Sequence, residues 1–197
     1  MPLFPPQFVA HQYQSGIDHL RSGYQAAMRS LDQDRLRAEL AYEEYVASGQ
    51  DDREYDEDGC LIQSTAFMLK SEEYEAGYAV KAVREAFIIS AFHYWEKWAR
   101  GWTALKWPKD QYRNLRDKSP HPVSSELNAL NHLTNLLKHG NAHHAQKLAA
   151  LRTDHFWRSP MCFIHNREVS WAVGISDAHV EEAFSIVRAS GPQYYSK

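Results

Sequence analysis

The chain has 197 residues, of which 44% are apolar and 13% aromatic, and its formal net charge is −3 at pH 7. This is the composition of an ordinary globular protein. Its two cysteines, Cys60 and Cys162, form no CxxC pair, which argues against a disulfide scaffold. The N-terminus has no signal-peptide pattern, and the longest apolar run, residues 86–92, is too short to span a bilayer. We therefore expect a cytoplasmic protein without membrane contacts, folded as a single domain over residues 1–197.

Charge is distributed unevenly along the chain. Residues 1–100 contain 10 Lys and Arg against 17 Asp and Glu, whereas residues 101–197 contain 12 against 8. Eight of the eleven histidines also lie in the second half. A weakly basic, histidine-rich half could bind a phosphate backbone, although an ordinary solvated surface has the same composition.

The first half of the chain predicts two long helical segments around an acidic loop. Apolar residues recur at three- and four-residue spacing over residues 13–46, which predicts one long helix or a helical hairpin broken near residues 32–34. The acidic run at residues 48–59 predicts an exposed loop without the glycine and glutamate register of an EF-hand. Residues 71–105 give the strongest helix prediction, with a broad apolar stripe from Tyr74 to Trp102. Aromatics at this spacing are typical of a core or a dimer interface.

The second half predicts shorter elements. Residues 107–122 are interpreted as a polar connection, and Ser124 to Glu126 begin another helix. Residues 160–175 resemble a β-hairpin, and Ser176 with Asp177 caps a final amphipathic helix. The fold class is therefore predicted to be all-α, a helical bundle of about 4–6 helices with a small C-terminal β-hairpin. The chain contains no glycine-rich phosphate loop and no nucleophile elbow, and no cofactor is expected.

The helix predicted at residues 125–139 carries a polar stripe. On a helical wheel, four leucines gather on one side: Leu127, Leu130, Leu133 and Leu137. Four polar residues gather on the other: Asn128, His132, Asn135 and His139. Lys138 and His139 before Gly140 are typical of a helix C-terminus. His143 extends the stripe only if the helix continues through Gly140.

Three interpretations of the polar stripe compete. It is a solvated face, a metal site or a face that recognises or cleaves RNA. The His139 and His143 pair has the spacing of zinc ligands, but no glutamate lies between them and no third ligand is evident, so no metal is predicted. For RNA, histidine can transfer protons near neutral pH, asparagine can orient a phosphate or base, and Lys138 can neutralise phosphate charge.

The segment Leu133–Gly140, with the sequence LTNLLKHG, resembles the motif of the HEPN superfamily, the higher eukaryote and prokaryote nucleotide-binding domains. The long aromatic helix from Arg84 to Trp102, followed by a loop and the motif helix, is also similar to that family. The resemblance covers residues 70–150. It implies a helical bundle of the kind found in bacterial toxin–antitoxin and defence systems, often a metal-independent ribonuclease. It also implies a homodimer in which two motifs, each with an arginine, a polar residue and a histidine, meet at the interface.

Transferred onto this sequence, the motif matches Asn135 as the polar residue and His139 as the catalytic histidine. The arginine position falls on Thr134, which supplies neither a permanent cation nor a bidentate donor. Arg84 or Arg152 could supply the cation from another element. The binding residues implied around the motif are Lys138, His132, Asn128, His143 and Arg84.

Two functions follow from this resemblance. One is a ribonuclease of a toxin–antitoxin, defence or stress system that acts at a homodimer interface. The alternative is a non-catalytic module that binds RNA, a nucleotide or a partner protein such as a cognate antitoxin.

Overall fold

The computed structural model describes residues 5–103, 111–154 and 173–194. Within these ranges the elements are α1 (Pro6–Ser48), β1 (Glu54–Tyr55), β2 (Leu61–Gln63), α2 (Thr65–Thr103), α3 (Gln111–Asp117), α4 (Leu127–His139), α5 (Ala142–Leu151) and α6 (Asp177–Ala189). The predicted all-α class is confirmed. The hairpin predicted at residues 160–175 falls largely outside the described residues. In the described ranges, no helix is long and apolar enough to cross a membrane.

The chain divides into two compact units. One unit comprises residues 1–23 and 84–197, and the other comprises residues 24–83. The motif helix α4 belongs to the first unit. The assignment of residues 1–197 to a single domain stays a prediction.

The smaller unit contains the second half of α1, the two strands and the first half of α2. Helix α1 runs through residues 32–34 without a break, and ion pairs one turn apart join Asp34 to Arg37 at 3.2 Å and Arg35 to Glu39 at 3.7 Å. Such pairs stabilise an exposed helix modestly. The hairpin alternative for this segment was therefore wrong.

The acidic segment after α1 is exposed, as predicted, but it contains a short hairpin that sequence reasoning missed. β1 pairs antiparallel with β2, with Glu54 opposite Gln63. The Asp56 carboxylate accepts hydrogen bonds from the backbone N–H groups of Asp58 at 3.0 Å and Cys60 at 2.7 Å, and Gly59 has φ 79°. The signal was the Asp58-Gly59 dipeptide, a common hairpin turn.

The stripe predicted on α2 is buried only in part. Ile88, Phe92 and Trp95 belong to the core, whereas Tyr74 and Tyr78 are 62% and 64% exposed. Of the two predicted alternatives, core or dimer interface, the core is wrong for these two tyrosines, and the dimer interface stays a prediction. Their helical spacing puts them on the same face of α2 as the buried residues. However, they belong to the half of α2 that lies in the smaller unit, whereas Ile88, Phe92 and Trp95 belong to the larger one.

The core of the larger unit is aromatic and leucine-rich. Tyr13 and Trp95 are fully buried, and the Tyr13 hydroxyl donates to the Val187 carbonyl at 2.6 Å, which links α1 to α6. The Trp95 ring packs against Phe92 and Tyr112. These contacts place α3 on the core surface formed by α2.

Helix α3 corrects the prediction that residues 107–122 are only a polar connection. Its seven residues bury Leu115 completely, and Tyr112, one turn earlier, reaches the aromatic core. Two apolar residues three positions apart are too few to establish a helical period from sequence.

Helices α4 and α5 are separated at Gly140, as the sequence predicted. Gly140 has φ 58° and its N–H donates to the Leu136 carbonyl at 2.8 Å, which ends α4. The Asn141 side chain accepts from the N–H of His143 at 2.8 Å and begins α5. His143 therefore does not lie on the same helix as His139.

The left-handed conformation of Gly140 gives a stability prediction. We expect Gly140→Ala to lower the free energy of unfolding by about 1–2 kcal/mol, because an L-residue is strained there. Gly77→Ala is the matched control in the interior of α2, where a Cβ would meet no atom of the described residues within 4 Å. It should raise stability by about 0.5–1 kcal/mol. Urea denaturation measures both, and equal shifts for the two variants would contradict the assignment of Gly140 as the cap.

Candidate functional site

A cleft of about 600 Å³ opens between α3, α4 and α5, and we call it the α3–α5 cleft. The described residues that line it are Gln111, Tyr112, Arg113 and Arg116 from α3, Asn128, Asn131, His132 and Asn135 from α4, and His143, His144 and Lys147 from α5. None of these is an aspartate or glutamate. The described cleft wall is therefore built from amides, imidazoles, cations and the Tyr112 ring, without a carboxylate.

The cleft brings together four of the residues predicted from sequence: Asn128, His132, Asn135 and His143. Lys138 and His139 are exposed at the end of α4 and are not among the lining residues. Arg84 donates to both oxygens of Asp177, at 2.8 and 3.1 Å, and does not line the cleft. Arg152 is likewise engaged, with Glu182 and Asp154. Neither arginine lines the cleft, so neither takes the place of the arginine that the motif would have at Thr134.

Helix α4 is amphipathic in the predicted sense. Its buried side carries Leu127, Leu130, Leu133 and Leu136, while Leu137 is half-buried. Burial of such leucines stabilises the helix against the core and leaves the opposite, polar side facing α3 and α5. Thr134 lies on the buried side, 1% exposed, and its hydroxyl has no hydrogen-bond partner among the described residues.

Two histidines are in direct polar contact in the cleft wall. Nδ1 of His132 on α4 lies 3.0 Å from Nδ1 of His144 on α5, and their ring centroids are 5.3 Å apart. Both rings are half-buried. Because a hydrogen bond needs one donor and one acceptor, one Nδ1 carries a proton and the other presents a lone pair.

The surroundings keep this histidine pair uncharged at neutral pH. Burial, and after it the charges of His144, His143 and Lys147, lower the pKa of His132 to about 4. Burial also lowers the pKa of His144, with additional repulsion from His143 and His139. His139 is thus close enough to affect the pair electrostatically.

Two asparagines on α4 are held together beside the histidine pair. The Asn135 side-chain nitrogen donates to the backbone carbonyl of Asn131 at 2.9 Å and to its side-chain oxygen at 3.1 Å. Asn131 is 8% exposed. These bonds hold the Asn135 amide against the cleft wall, so α4 presents fixed polar groups there.

Three cations surround the amides and imidazoles. Arg113 and Lys147 are exposed, and Arg116 pairs with Asp117 at 2.7 Å while lying 5.7 Å from the centroid of the Tyr112 ring. Arginine and lysine on the rim of a cleft attract anions, and arginine matches phosphate geometry with two parallel donors. The cleft therefore combines anion attraction with groups that can accept and donate protons.

Sequence reasoning missed seven of the lining residues: Gln111, Tyr112, Arg113, Arg116, Asn131, His144 and Lys147. The α3 residues were missed because that helix was interpreted as a connection. His144 was missed because it does not continue the three- and four-residue spacing of the polar stripe. Its position directly after His143 was the signal that could have identified it. Asn131 lies at the edge of the predicted stripe.

A group of three or more His, Cys, Asp or Glu side chains arranged to hold a metal ion does not occur among the described residues. The cleft chemistry that these residues support is hydrogen bonding, anion binding and proton transfer.

No protein-family model, no curated protein and no solved structure matches this chain.

Proposed function

We propose that this chain binds RNA in the α3–α5 cleft and cleaves it through attack by the RNA's own 2′-hydroxyl. The proposal is that of a HEPN-like, metal-independent endoribonuclease. One observation carries it: the described residues of the cleft combine three cationic side chains with three imidazoles and no carboxylate.

The charge of the cleft favours an anionic ligand. Arg113, Arg116 and Lys147 approach the cleft from two helices, and Arg116 forms an ion pair with Asp117 outside the cleft lining. A carboxylate in the wall would repel a phosphodiester, whereas these cations would replace its counterions. A negatively charged, repeating backbone is therefore the ligand class that best fits.

The neutral groups of the cleft favour a nucleic acid over a simple anion. Asn128, Asn131, Asn135 and Gln111 supply amide donors and acceptors, which suit base edges and 2′-hydroxyl groups. A volume of about 600 Å³ is also within the range of clefts that hold organic ligands. We infer that the cleft holds one or two nucleotides of a single strand.

Cleavage by a 2′-hydroxyl requires a base, an acid and a cation near the phosphate. In this proposal His132 and His144 exchange the protons, and Arg113 or Lys147 stabilises the developing charge on phosphorus. This assignment differs from the one implied by the motif, because His139 lies outside the lining residues. Cations on α3 and α5 take the role of the arginine that the motif has at the position of Thr134.

The biological setting is part of the same proposal and rests on the resemblance. It is a toxin–antitoxin, defence or stress system, with a cognate antitoxin as protein partner. The exposure of Lys138 and His139 at the end of α4 leaves them accessible to a second copy of the chain, which supports the homodimer. Light scattering of the purified protein measures that state.

A non-catalytic module is the second function that a specific observation favours. Thr134 is buried where the motif has its arginine, and the histidine pair is held neutral, so binding without cleavage is chemically consistent with the cleft. In this case the RNA or nucleotide would be bound and left intact.

The proposed function is tested with a fluorescent single-stranded RNA in excess EDTA. We expect cleavage to a 2′,3′-cyclic phosphate and a 5′-hydroxyl, identified by mass spectrometry, because the 2′-oxygen is the nucleophile. The same oligonucleotide with DNA sugars should bind and remain intact. Arg113→Ala should weaken RNA binding about tenfold, the loss expected for one charge-assisted hydrogen bond.

Two exposed residues outside the cleft lining serve as matched controls: Lys97→Ala for the cation and His19→Ala for the histidines. Both should retain binding and cleavage. RNA that binds the cleft but stays intact would select the non-catalytic module. If wild-type protein neither binds nor cleaves RNA, or if Arg113→Ala and Lys97→Ala bind equally, the cleft is not an RNA site.

A further inference from the structure

We propose that His132 and His144 act as one neutral proton relay, in which a proton enters at one imidazole and a different proton leaves from the other. This inference rests on the proposed function, since it assigns the proton transfers of that reaction. It follows from the direct contact between the two Nδ1 atoms, 3.0 Å apart in the wall of the cleft.

The contact fixes the tautomers of both rings. The imidazole that donates its Nδ1 proton has a lone pair on Nε2, whereas the imidazole that accepts must carry its own proton on Nε2. A single neutral pair therefore offers one proton acceptor and one proton donor. Two separated histidines would need one ring to be charged for the same purpose.

The proton transfers balance over one cleavage. The free Nε2 takes the proton of the 2′-hydroxyl as the 2′-oxygen forms its bond to phosphorus. The shared proton moves from the first Nδ1 to the second. The second ring then releases its Nε2 proton to the 5′-oxygen as the bond between phosphorus and that oxygen breaks. The products are a 2′,3′-cyclic phosphate and a 5′-hydroxyl, and the two rings have exchanged tautomers.

After cleavage, the exchanged tautomers can transfer protons in the opposite direction, as hydrolysis of the cyclic phosphate requires. Water attacking the cyclic phosphate would give its proton to the second ring, and the first ring would protonate the departing 2′-oxygen. This hydrolysis restores the starting tautomers. Where the cyclic product is released instead, exchange with solvent water restores them.

The charges facing the pair favour its neutral form. On α5 these are His143 and Lys147, on α4 His139, and on α3 Arg113, Arg116 and the uncharged Tyr112. All the charged members of this set are cationic when protonated, and burial acts in the same direction. Burial and the charges of His144, His143 and Lys147 lower the pKa of His132 to about 4. The pKa of His144 is lowered as well, so the neutral form of the pair is favoured at neutral pH.

The pH dependence of kcat/KM separates a relay from an independent acid and base. Cleavage by the relay should rise with pH as the pair loses its extra proton and then stay constant from about pH 6 to pH 8. Independent histidines would give a bell, because activity would fall once the imidazolium acid is lost. A bell-shaped profile centred near the ordinary histidine pKa would overturn the relay.

Substitution of the pair provides the second measurement. His132→Ala and His144→Ala should each lower kcat about 10²–10⁴-fold, and the double variant should be no slower than either, because the pair works as a unit. His144→Asn keeps a hydrogen-bonding group near the Nδ1 position but cannot relay, so it should bind RNA within about twofold of wild type and cleave like His144→Ala. Multiplicative losses in the double variant would contradict the relay.

Nuclear magnetic resonance of ¹⁵N-histidine-labelled full-length protein, without RNA, tests the geometry independently of activity. At pH 7 one ring of the pair should carry its proton on Nδ1 and the other on Nε2, and both should be neutral. If both rings carry their proton on Nε2, or either is charged, the relay is wrong even where RNA is cleaved. If wild-type protein cleaves no RNA, the proposed function fails and the relay fails with it.

Discussion

Thr134→Arg, the substitution that would complete the motif, is expected to unfold the protein instead of activating it. Thr134 is 1% exposed on the leucine side of α4, opposite the cleft. A guanidinium in that position would be buried among the leucines of α4. Such burial costs several kcal/mol, so we expect a loss of about 4 kcal/mol or more in the free energy of unfolding. Circular dichroism during urea denaturation measures the loss.

Two further variants show whether the loss of stability is caused by the buried position or by the arginine side chain itself. Asn128→Arg introduces the same side chain on the half-exposed cleft wall of α4 and should fold normally while strengthening RNA binding. Thr134→Val removes a buried hydroxyl without a described partner and should leave stability unchanged or raise it by up to about 1 kcal/mol. A folded Thr134→Arg protein with increased cleavage would mean that position 134 does serve the site.

The burial of Thr134 was readable from the sequence in principle. On a helical wheel at 100° per residue it lies about 130° from the centre of the polar stripe, among the leucines. The match to the motif compares positions along the sequence and does not take their angle around the helix into account. Periodicity correctly placed the leucine face, the polar stripe and the end of α4 at Gly140, because these depend on local spacing and backbone conformation.

The cleft itself was not readable from the sequence. It depends on the packing of α3 and α5 against α4, and residues 111–117 are separated from Asn128 and Lys147 by chain that gives no sign of the contact. The contact between His132 and His144 spans twelve positions and two helices. Its chemistry arises from tertiary structure, so a search for regular spacing found His143 and passed over His144.

Trp95→Ala is expected to have the largest effect on stability in the core, and it should reach the cleft through α3. Trp95 is fully buried, and its ring lies 5.7 Å from that of Phe92 and 6.0 Å from that of Tyr112. Removing a buried tryptophan leaves a cavity and costs about 3–5 kcal/mol. Urea denaturation should show this loss, while Tyr78→Ala, an exposed aromatic on the same helix, should change stability by less than about 0.5 kcal/mol.

The effect of Trp95→Ala on the cleft follows from how α3 is attached. With only seven residues, α3 depends on Leu115, on the packing of Tyr112 against Trp95, and on the bond from the Gln111 amide to Glu96 at 2.6 Å. A helix this short is unstable without tertiary contacts. In native-state hydrogen exchange, the α3 amides should therefore lose protection more than those of α4, and RNA affinity should fall because Arg113 is no longer held in place. Equal loss of protection in α3 and α4 would show that the core supports the whole cleft and does not position α3 specifically.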